Sequence, residues 1–303
     1  MVTYAWVGLG NMGSRMAQKL VEANHIVYGF DINKVARDQA SRHGVRAVES
    51  LPEAVKDADA VFTMLPNGEH VRRVFASKDG IWAHAPQNAI LIDSSTVDIG
   101  TSRFCHRESG QRGFSFVDAP VSGGISGAAA GTLTFMIGGD LSVARRAQRL
   151  VEPMANNVFL AGTGTKGIAT KLVNNMMVHI NLIANSEGSQ LAEALGLDAK
   201  VFWDIISASS GMSWTQQTWY PVPGVVETSA ANNNFEAGFA ANLSLKDVTL
   251  ALQAGEHAGL NLPGAELAQS QLKRLVDEGL GSKDCTLIVK YVQQHGRVRG
   301  YND

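Results

Sequence analysis

Gly8-Leu9-Gly10-Asn11-Met12-Gly13 restricts the fold of this chain more than any other segment. It follows a short apolar run, Ala5-Trp6-Val7, and opens a stretch in which Met16, Ala17 and Leu20 recur at helical spacing. Strand, glycine turn and helix in direct succession give each glycine a task. Gly8 permits the tight turn, Gly10 presents bare backbone, and Gly13 lets the helix lie close to the strand. A helix that starts there offers free N–H groups and the positive end of its dipole to an anion. A second apolar run, Ile26–Phe30, ends directly before Asp31. A carboxylate at that place accepts hydrogen bonds from a ribose and repels an extra phosphate on it. By itself Asp31 also reads as a plain turn aspartate. Together with the glycines it points to a dinucleotide site that favours NAD over NADP.

The same alternation continues. Apolar runs near 4–8, 26–30, 60–65, 89–93 and 114–118 are separated by helical patterns at Met12–Glu22, Lys34–Arg42 and Val97–Glu108. Strands alternating with helices imply βαβ units in a doubly wound, mainly parallel sheet, the Rossmann architecture. Leu133–Ile137 reads as one more strand before a helix at 141–150. From Thr165 to Leu195 no proline occurs, and Ile168, Leu172, Met176, Ile180 and Ile183 recur at helical spacing. Such a helix is roughly 45 Å long at 1.5 Å per residue, too long to lie over a small sheet. It reads as a spine leading into an all-helical domain, with helices at 198–209, 244–259, 263–278 and 284–294. The domains are expected at 1–164 and 165–303. Residues 211–238, rich in Gly, Pro, Asn and Trp, read as a long ordered loop of a kind that often carries function. The closing GRVRGYND reads as a frayed tail.

Bulk properties narrow the classes. With 303 residues, 45% hydrophobic and 18% charged, the chain has ordinary globular composition. A formal charge of -2 leaves no basic excess to neutralise a nucleic acid backbone. Cys105 and Cys285 form no CxxC pair, so a disulfide framework is excluded and a reducing, cytoplasmic setting is expected. No basic-then-apolar leader and no run of about 18 apolar residues is found, so neither signal peptide nor membrane span is expected. Eight histidines, at 25, 43, 70, 84, 106, 179, 257 and 295, show neither HxH nor HxxxH spacing, so no metal site is expected. Neither a GxSxG elbow nor a GxxxxGK[ST] loop occurs.

Lys171 and Asn175 stand four apart on the long helix and share a face. Lysine on a surface is usually solvated, but Ile168, Ala169, Leu172 and Val173 leave this stretch little polar face. In a partly dry cleft, desolvation favours the neutral amine, which can take a hydroxyl proton, while a neighbouring carboxamide orients the reactant. Ser122-Gly123-Gly124 reads either as a flexible turn or as a loop whose N–H groups cradle a carboxylate. Lys246-Asp247 alone reads as an exposed pair on a helix.

Four segments resemble the β-hydroxyacid dehydrogenase family over nearly the whole chain: VGLGNMGSRMAQKL at 7–20, DSSTVDIGTSR at 93–103, DAPVSGGISGAAAGTLTFMIGGD at 118–140, and Gly167-x-x-x-Lys171-x-x-x-Asn175 with Phe239, Leu243, Lys246 and Asp247 further on. The resemblance implies a Rossmann domain followed by an all-helical domain, with the active site in the cleft between them. It implies NAD-dependent oxidation of a small 3-hydroxy acid, 3-hydroxyisobutyrate to methylmalonate semialdehyde, a step of valine catabolism. Lys171 then matches the catalytic lysine and Asn175 a substrate-orienting amide. Ser122 and Gly123 match residues that hold the substrate carboxylate, with Gly124 in the same loop. Asp247, Trp214 and Trp219 fall on the substrate side. Gly8 to Gly13 (with Leu9, Asn11 and Met12), Asp31, Leu65, Pro66, Thr96 and Lys246 fall on the cofactor side, Leu65 and Pro66 as the end of a strand. A homodimer or homotetramer is implied as well. Other readings stay open: a dehydrogenase of L-serine or a related short hydroxy acid, a reductase of tartronate or succinic semialdehyde, or a non-catalytic dinucleotide-binding regulatory module.

Overall fold

The computed structural model of the chain describes residues 1–293, 296 and 298–302. It divides into two compact units, Met1–Lys171 and Leu172–Asp303.

The first unit holds the strands β1 (Thr3–Val7), β2 (Ile26–Phe30), β3 (Arg46–Ala47), β4 (Ala60–Thr63), β5 (Ile90–Asp93), β6 (Ser115–Asp118), β7 (Val121–Ser122), β8 (Leu133–Gly138) and β9 (Ala155–Gly162). Between them run the helices α1 (Gly13–Glu22), α2 (Lys34–Ser41), α3 (Leu51–Val55), α4 (Gly68–Ala76), α5 (Ile81–His84), α6 (Ile99–Gln111), α7 (Gly124–Ala130) and α8 (Leu141–Val151). All nine described strands join one sheet in the order β3-β2-β1-β4-β5-β6-β8-β7, and β9 pairs with the other side of β8. From β3 to β6 every pairing is parallel. β4 and β5 are buried at every position, so they read in sequence as continuous apolar runs and not as alternations. The order of strands reverses between β1 and β4, and in doubly wound sheets ligands bind at the carboxyl ends of the strands flanking such a point.

Past β6 the sheet turns mixed: β6 and β7 pair antiparallel with β8. The sequence reading missed β3, β7 and β9. β3 and β7 have two residues each, and β9 (ANNVFLAG) is an exposed edge strand containing two asparagines. It also missed the short helices α3, α4, α5 and α7.

The spine helix, α9 (Lys166–Ala194), has 29 residues and is about 44 Å long. The division between the compact units falls inside it. The second unit continues with α10 (Ala199–Ser207), α11 (Trp214–Thr218), α12 (Ala241–His257) and α13 (Pro263–Asp277), plus short 3-10 helices at Ala230–Asn233 and Cys285–Tyr291. Its core gathers Leu182, Ile183, Phe235, Val248, Leu272, Leu275 and Leu287.

Three expectations need correction here. The helix expected over 284–294 is a 3-10 helix over Cys285–Tyr291, and its expected last residue, Gln294, lies outside the described residues. The region 211–238 is not loop throughout, since α11 and the Ala230–Asn233 turn interrupt it. The tail is pinned where it is described: Val298 and Tyr301 pack on the core, and the Asn302 N–H donates to Asn234 Oδ1 at 2.8 Å. His295, Arg297 and Asp303 lie outside the described residues.

Candidate active site

The glycine turn is built as its sequence demands. Gly8 has φ +98°, and a Cβ on it would lie 2.3 Å from the Met64 carbonyl oxygen. Gly13 approaches so closely that a Cβ would lie 2.0 Å from the Gly8 oxygen. The same oxygen accepts from Trp6 Nε1 at 3.0 Å, and the indole stacks on Phe62 at 4.8 Å, so the core itself holds the turn. A Cβ on Gly10 would meet nothing within 4 Å, which leaves bare backbone facing open space. Asn11 and Gly10 are exposed, Met12 half-buried, and Leu9 buried. No described side chain caps α1, and no acidic residue stands in its first turn. These features fit an anion such as a pyrophosphate at the helix start. Asp31 lies just past β2, half-buried. Its Oδ2 accepts from the Leu9 N–H at 2.8 Å and its Oδ1 from the Asn33 N–H at 2.8 Å. The carboxylate thus closes the glycine turn and keeps further lone pairs that could accept from a ligand.

Beyond β4 and β5 two loops are tied together. Thr63 Oγ1 donates to Asp93 Oδ1 at 2.7 Å, and the Leu65 N–H donates to Ser95 Oγ at 2.9 Å. Asp93 is fully buried, and burial pushes its carboxyl up to about 6. The structure thereby places Leu65 and Pro66 in a loop beyond β4, which ends at Thr63, and not at the end of a strand. Thr96 is half-buried in the partner loop.

Ser122-Gly123-Gly124 is neither a free loop nor a flexible turn. Ser122 ends β7, paired with Thr134, and Gly124 opens α7. Gly123 (φ +129°) and Gly124 (φ +63°) both adopt positive φ, a conformation that glycine takes at low steric cost.

On α9, Lys171 is 9% exposed and Asn175 is 4% exposed, in contrast to the usual surface lysine. Asn175 Nδ2 donates to Asp247 Oδ2 at 2.6 Å, and Asn175 Oδ1 accepts from Asn174 Nδ2 at 3.0 Å. Lys246 Nζ lies 3.2 Å from Asp247 Oδ1. Asp247 is buried, on the face of α12 that carries Ala241, Ser244, Val248, Ala251 and Gly255. The reading of Lys246-Asp247 as an exposed surface pair is therefore wrong for the aspartate. Trp214 and Trp219 meet edge to face at 4.8 Å, and Trp219 continues to Phe239 at 6.2 Å and His179 beyond it at 5.8 Å. Trp214 remains 50% exposed.

Sequence reasoning passed over Asp93 and Ser95, which tie the two loops, and Asp118, which holds the start of α9. All three lie inside quoted motifs, but their partners lie 30 to 50 residues away, with no local signal. No group of three or more His, Cys, Asp or Glu able to hold a metal ion occurs among the described residues. No described helix is long and apolar enough to cross a membrane.

A sheet reversing at β1 and β4, a glycine turn feeding an uncapped helix and a carboxylate just past β2 are the features of an NAD-binding oxidoreductase domain. Comparison with known proteins agrees. Residues 3–162 match the NAD binding domain of 6-phosphogluconate dehydrogenase, and residues 165–292 match the NAD-binding domain of NADP-dependent 3-hydroxyisobutyrate dehydrogenase. A probable 3-hydroxyisobutyrate dehydrogenase of Mycobacterium tuberculosis is 44% identical over 278 residues, covering 91% of this chain and 94% of the relative. An NAD-dependent L-serine dehydrogenase of Pseudomonas aeruginosa is 37% identical over 286 residues, covering 94% and 96%. A solved structure of Mycobacterium tuberculosis 3-hydroxyisobutyrate dehydrogenase with L-serine superposes with TM-score 0.89 at 42% identity, covering 97% of this chain and 99% of the other. The chain belongs to the β-hydroxyacid dehydrogenase family and is an oxidoreductase acting on a CH–OH group.

Proposed function

We propose that this protein oxidises 3-hydroxyisobutyrate to methylmalonate semialdehyde with NAD, and that Lys171 is its general acid–base. Lys171 carries this reading: a lysine 9% exposed, one helical turn before an amide whose orientation a buried carboxylate fixes. NAD, when bound, supplies the hydride acceptor. The chain supplies the rest. The neutral Lys171 amine takes the hydroxyl proton as the carbonyl forms, and returns it in the reverse direction. Asn175 holds the reacting group by its remaining amide N–H. Ser122, Gly123 and Gly124 grip the substrate carboxylate, and Asp247, Trp214 and Trp219 complete the substrate side. Gly8 to Gly13 and Asp31 hold the pyrophosphate and adenosine ribose, while Leu65, Pro66, Thr96 and Lys246 contact the nicotinamide side. Asp31 favours NAD, because a phosphate on the ribose would meet its charge.

L-Serine is the second substrate reading, supported by the names of the Pseudomonas aeruginosa relative and of the solved complex. Self-association as a homodimer or homotetramer is supported by α10, which buries no residue yet exposes Val201 and Ile205. Light scattering on the purified chain measures that state. A cytoplasmic setting rests on the two free cysteines.

The deciding experiment is Lys171→Ala. kcat should fall by roughly 100-fold or more, the scale for a positioned acid–base group, while NAD binding survives. Lys171→Arg should fail too, because a guanidinium stays protonated. A Lys171→Ala enzyme with wild-type kcat and pH profile would remove the lysine from the mechanism. A panel of 3-hydroxyisobutyrate, L-serine and both semialdehydes, followed at the NADH absorbance, ranks the substrates. No turnover of any of them would favour a regulatory module.

A further inference from the structure

We propose that Asp118 is a positioning residue for Lys171: from the end of β6 it anchors the first turn of α9, and so sets where the lysine one turn further on stands. The inference rests on the acid–base reading of Lys171 above.

Asp118 is buried, with its side chain only 3% exposed. Its Oδ2 accepts from the Ile168 N–H at 2.7 Å, and its Oδ1 from the Thr165 N–H at 2.9 Å. His106 Nε2, on α6, lies 2.6 Å from the same Oδ1. The Thr165 carbonyl accepts from the Ala169 N–H at 3.0 Å, so Thr165 is the residue at which the helix begins. A carboxylate 50 residues earlier in the chain thus does the work that a capping side chain at Thr165 would ordinarily do. It also carries negative charge to the positive end of the helix dipole.

Two further features require this anchor. Thr165 has φ +73°, a left-handed conformation that strains a β-branched residue and persists only where its surroundings hold it. The helix start also presses against the sheet with nothing between. A Cβ on Gly138 would lie 2.5 Å from the Gly167 nitrogen, and a Cβ on Gly167 would lie 2.3 Å from the Met136 oxygen and 2.6 Å from the Asp118 oxygen. Gly138 is itself the partner of Asp118 across β6 and β8. Bare α-carbons allow the approach, and the carboxylate fixes its depth and rotation. Lys171 follows Ile168 by three residues on a rigid helix, so any slip of the anchored turn moves the amine with it.

A structural cap alone would change stability. A positioning residue also changes kcat, through Lys171 and through nothing else. The test uses the full chain with Asp118→Ala, Asp118→Asn, Lys171→Ala and the double variant Asp118→Ala/Lys171→Ala. Measured are kcat, KM, NAD affinity and far-UV circular dichroism. Asp118→Ala should lower kcat by about 10- to 100-fold, the range for loss of a group that holds a catalytic side chain in place. NAD affinity should not change, and Asp118→Asn should recover only part of the loss, because its single amide oxygen can still accept from one of the two N–H groups. In the Lys171→Ala background the same Asp118→Ala change should have almost no effect on the residual rate. Wild-type kcat in Asp118→Ala, or equal losses in both backgrounds, would overturn the proposal. If Asp118→Ala does not fold, Gly167→Ala takes its place: its methyl group lifts the helix start off the sheet. A fall in kcat at constant NAD affinity then supports the proposal, and an unchanged kcat sinks it. If Lys171→Ala itself keeps full activity, the acid–base reading has failed and not the anchor alone.

Discussion

Asn175 and Asp247, 72 residues apart in the chain, meet at 2.6 Å, with the Asn175 amide donating to the Asp247 carboxylate. Because Asn174 donates to the Asn175 oxygen, the amide has one orientation, and its second N–H is not committed to Asp247. Removal of Asp247 frees that amide to rotate. Asp247→Ala should lower kcat/KM by an amount on the order of 1.5–3 kcal/mol, the range for a hydrogen bond to a charged group. Asn175→Ala and Asp247→Ala should be strongly non-additive in a double-mutant cycle. Additive effects would show that the two act separately.

Asp31 should set the cofactor preference. The wild type should show higher kcat/KM with NAD than with NADP, and Asp31→Ser should narrow the gap by removing the repulsive charge. Since Asp31 also accepts from the Leu9 N–H, the variant should bind NAD itself less tightly. A wild type that prefers NADP refutes this assignment and turns attention to Arg37, whose Nη1 donates to the Asp31 carbonyl at 2.8 Å.

Ser122→Ala should raise KM for hydroxy acids by the equivalent of about 1.5–3 kcal/mol, the loss of one hydrogen bond to a carboxylate. NAD affinity should not move. Simple primary alcohols, which lack the carboxylate, should be poor substrates of the wild type. Equal rates on both classes would remove the 122–124 turn from the site.

Asp93 should leave a signature in the pH dependence of stability. Its carboxyl is pushed up to about 6 in the folded chain, from an ordinary value of 3.8. Between about pH 4 and 6 the folded state therefore holds a proton there that the unfolded state has released. This contribution is full below about pH 4, falls as pH rises toward 6, and is gone above it. Its size is on the order of 3 kcal/mol. Asp93→Asn should flatten that part of the curve in denaturant midpoints taken between pH 4 and 7. Identical slopes for wild type and variant would mean that Asp93 titrates as an ordinary carboxylate.

What could be read in the sequence followed local chemistry. The strand-glycine-helix succession at Gly8–Gly13 and the proline-free run of α9 each carry their signal within a few turns, and both stand where expected. The burial of Asp247 could not be read, because apart from Val248 its face of α12 is made of Ala, Ser and Gly, whose hydropathy marks no buried side. Asp118 and Asp93 were hidden because their partners meet them only once the sheet has formed. The mixed end of the sheet was missed because β7 is too short for any periodicity to show.

Lys171 and Asn175 stand on one uninterrupted helix, α9. Their separation is therefore a property of helix pitch. Substitutions between them leave the spacing intact. One inserted residue would rotate Asn175 by about 100° around the axis relative to Lys171. Insertions between Leu172 and Asn174 should therefore be rejected, while point changes at exposed Val173 should be accepted.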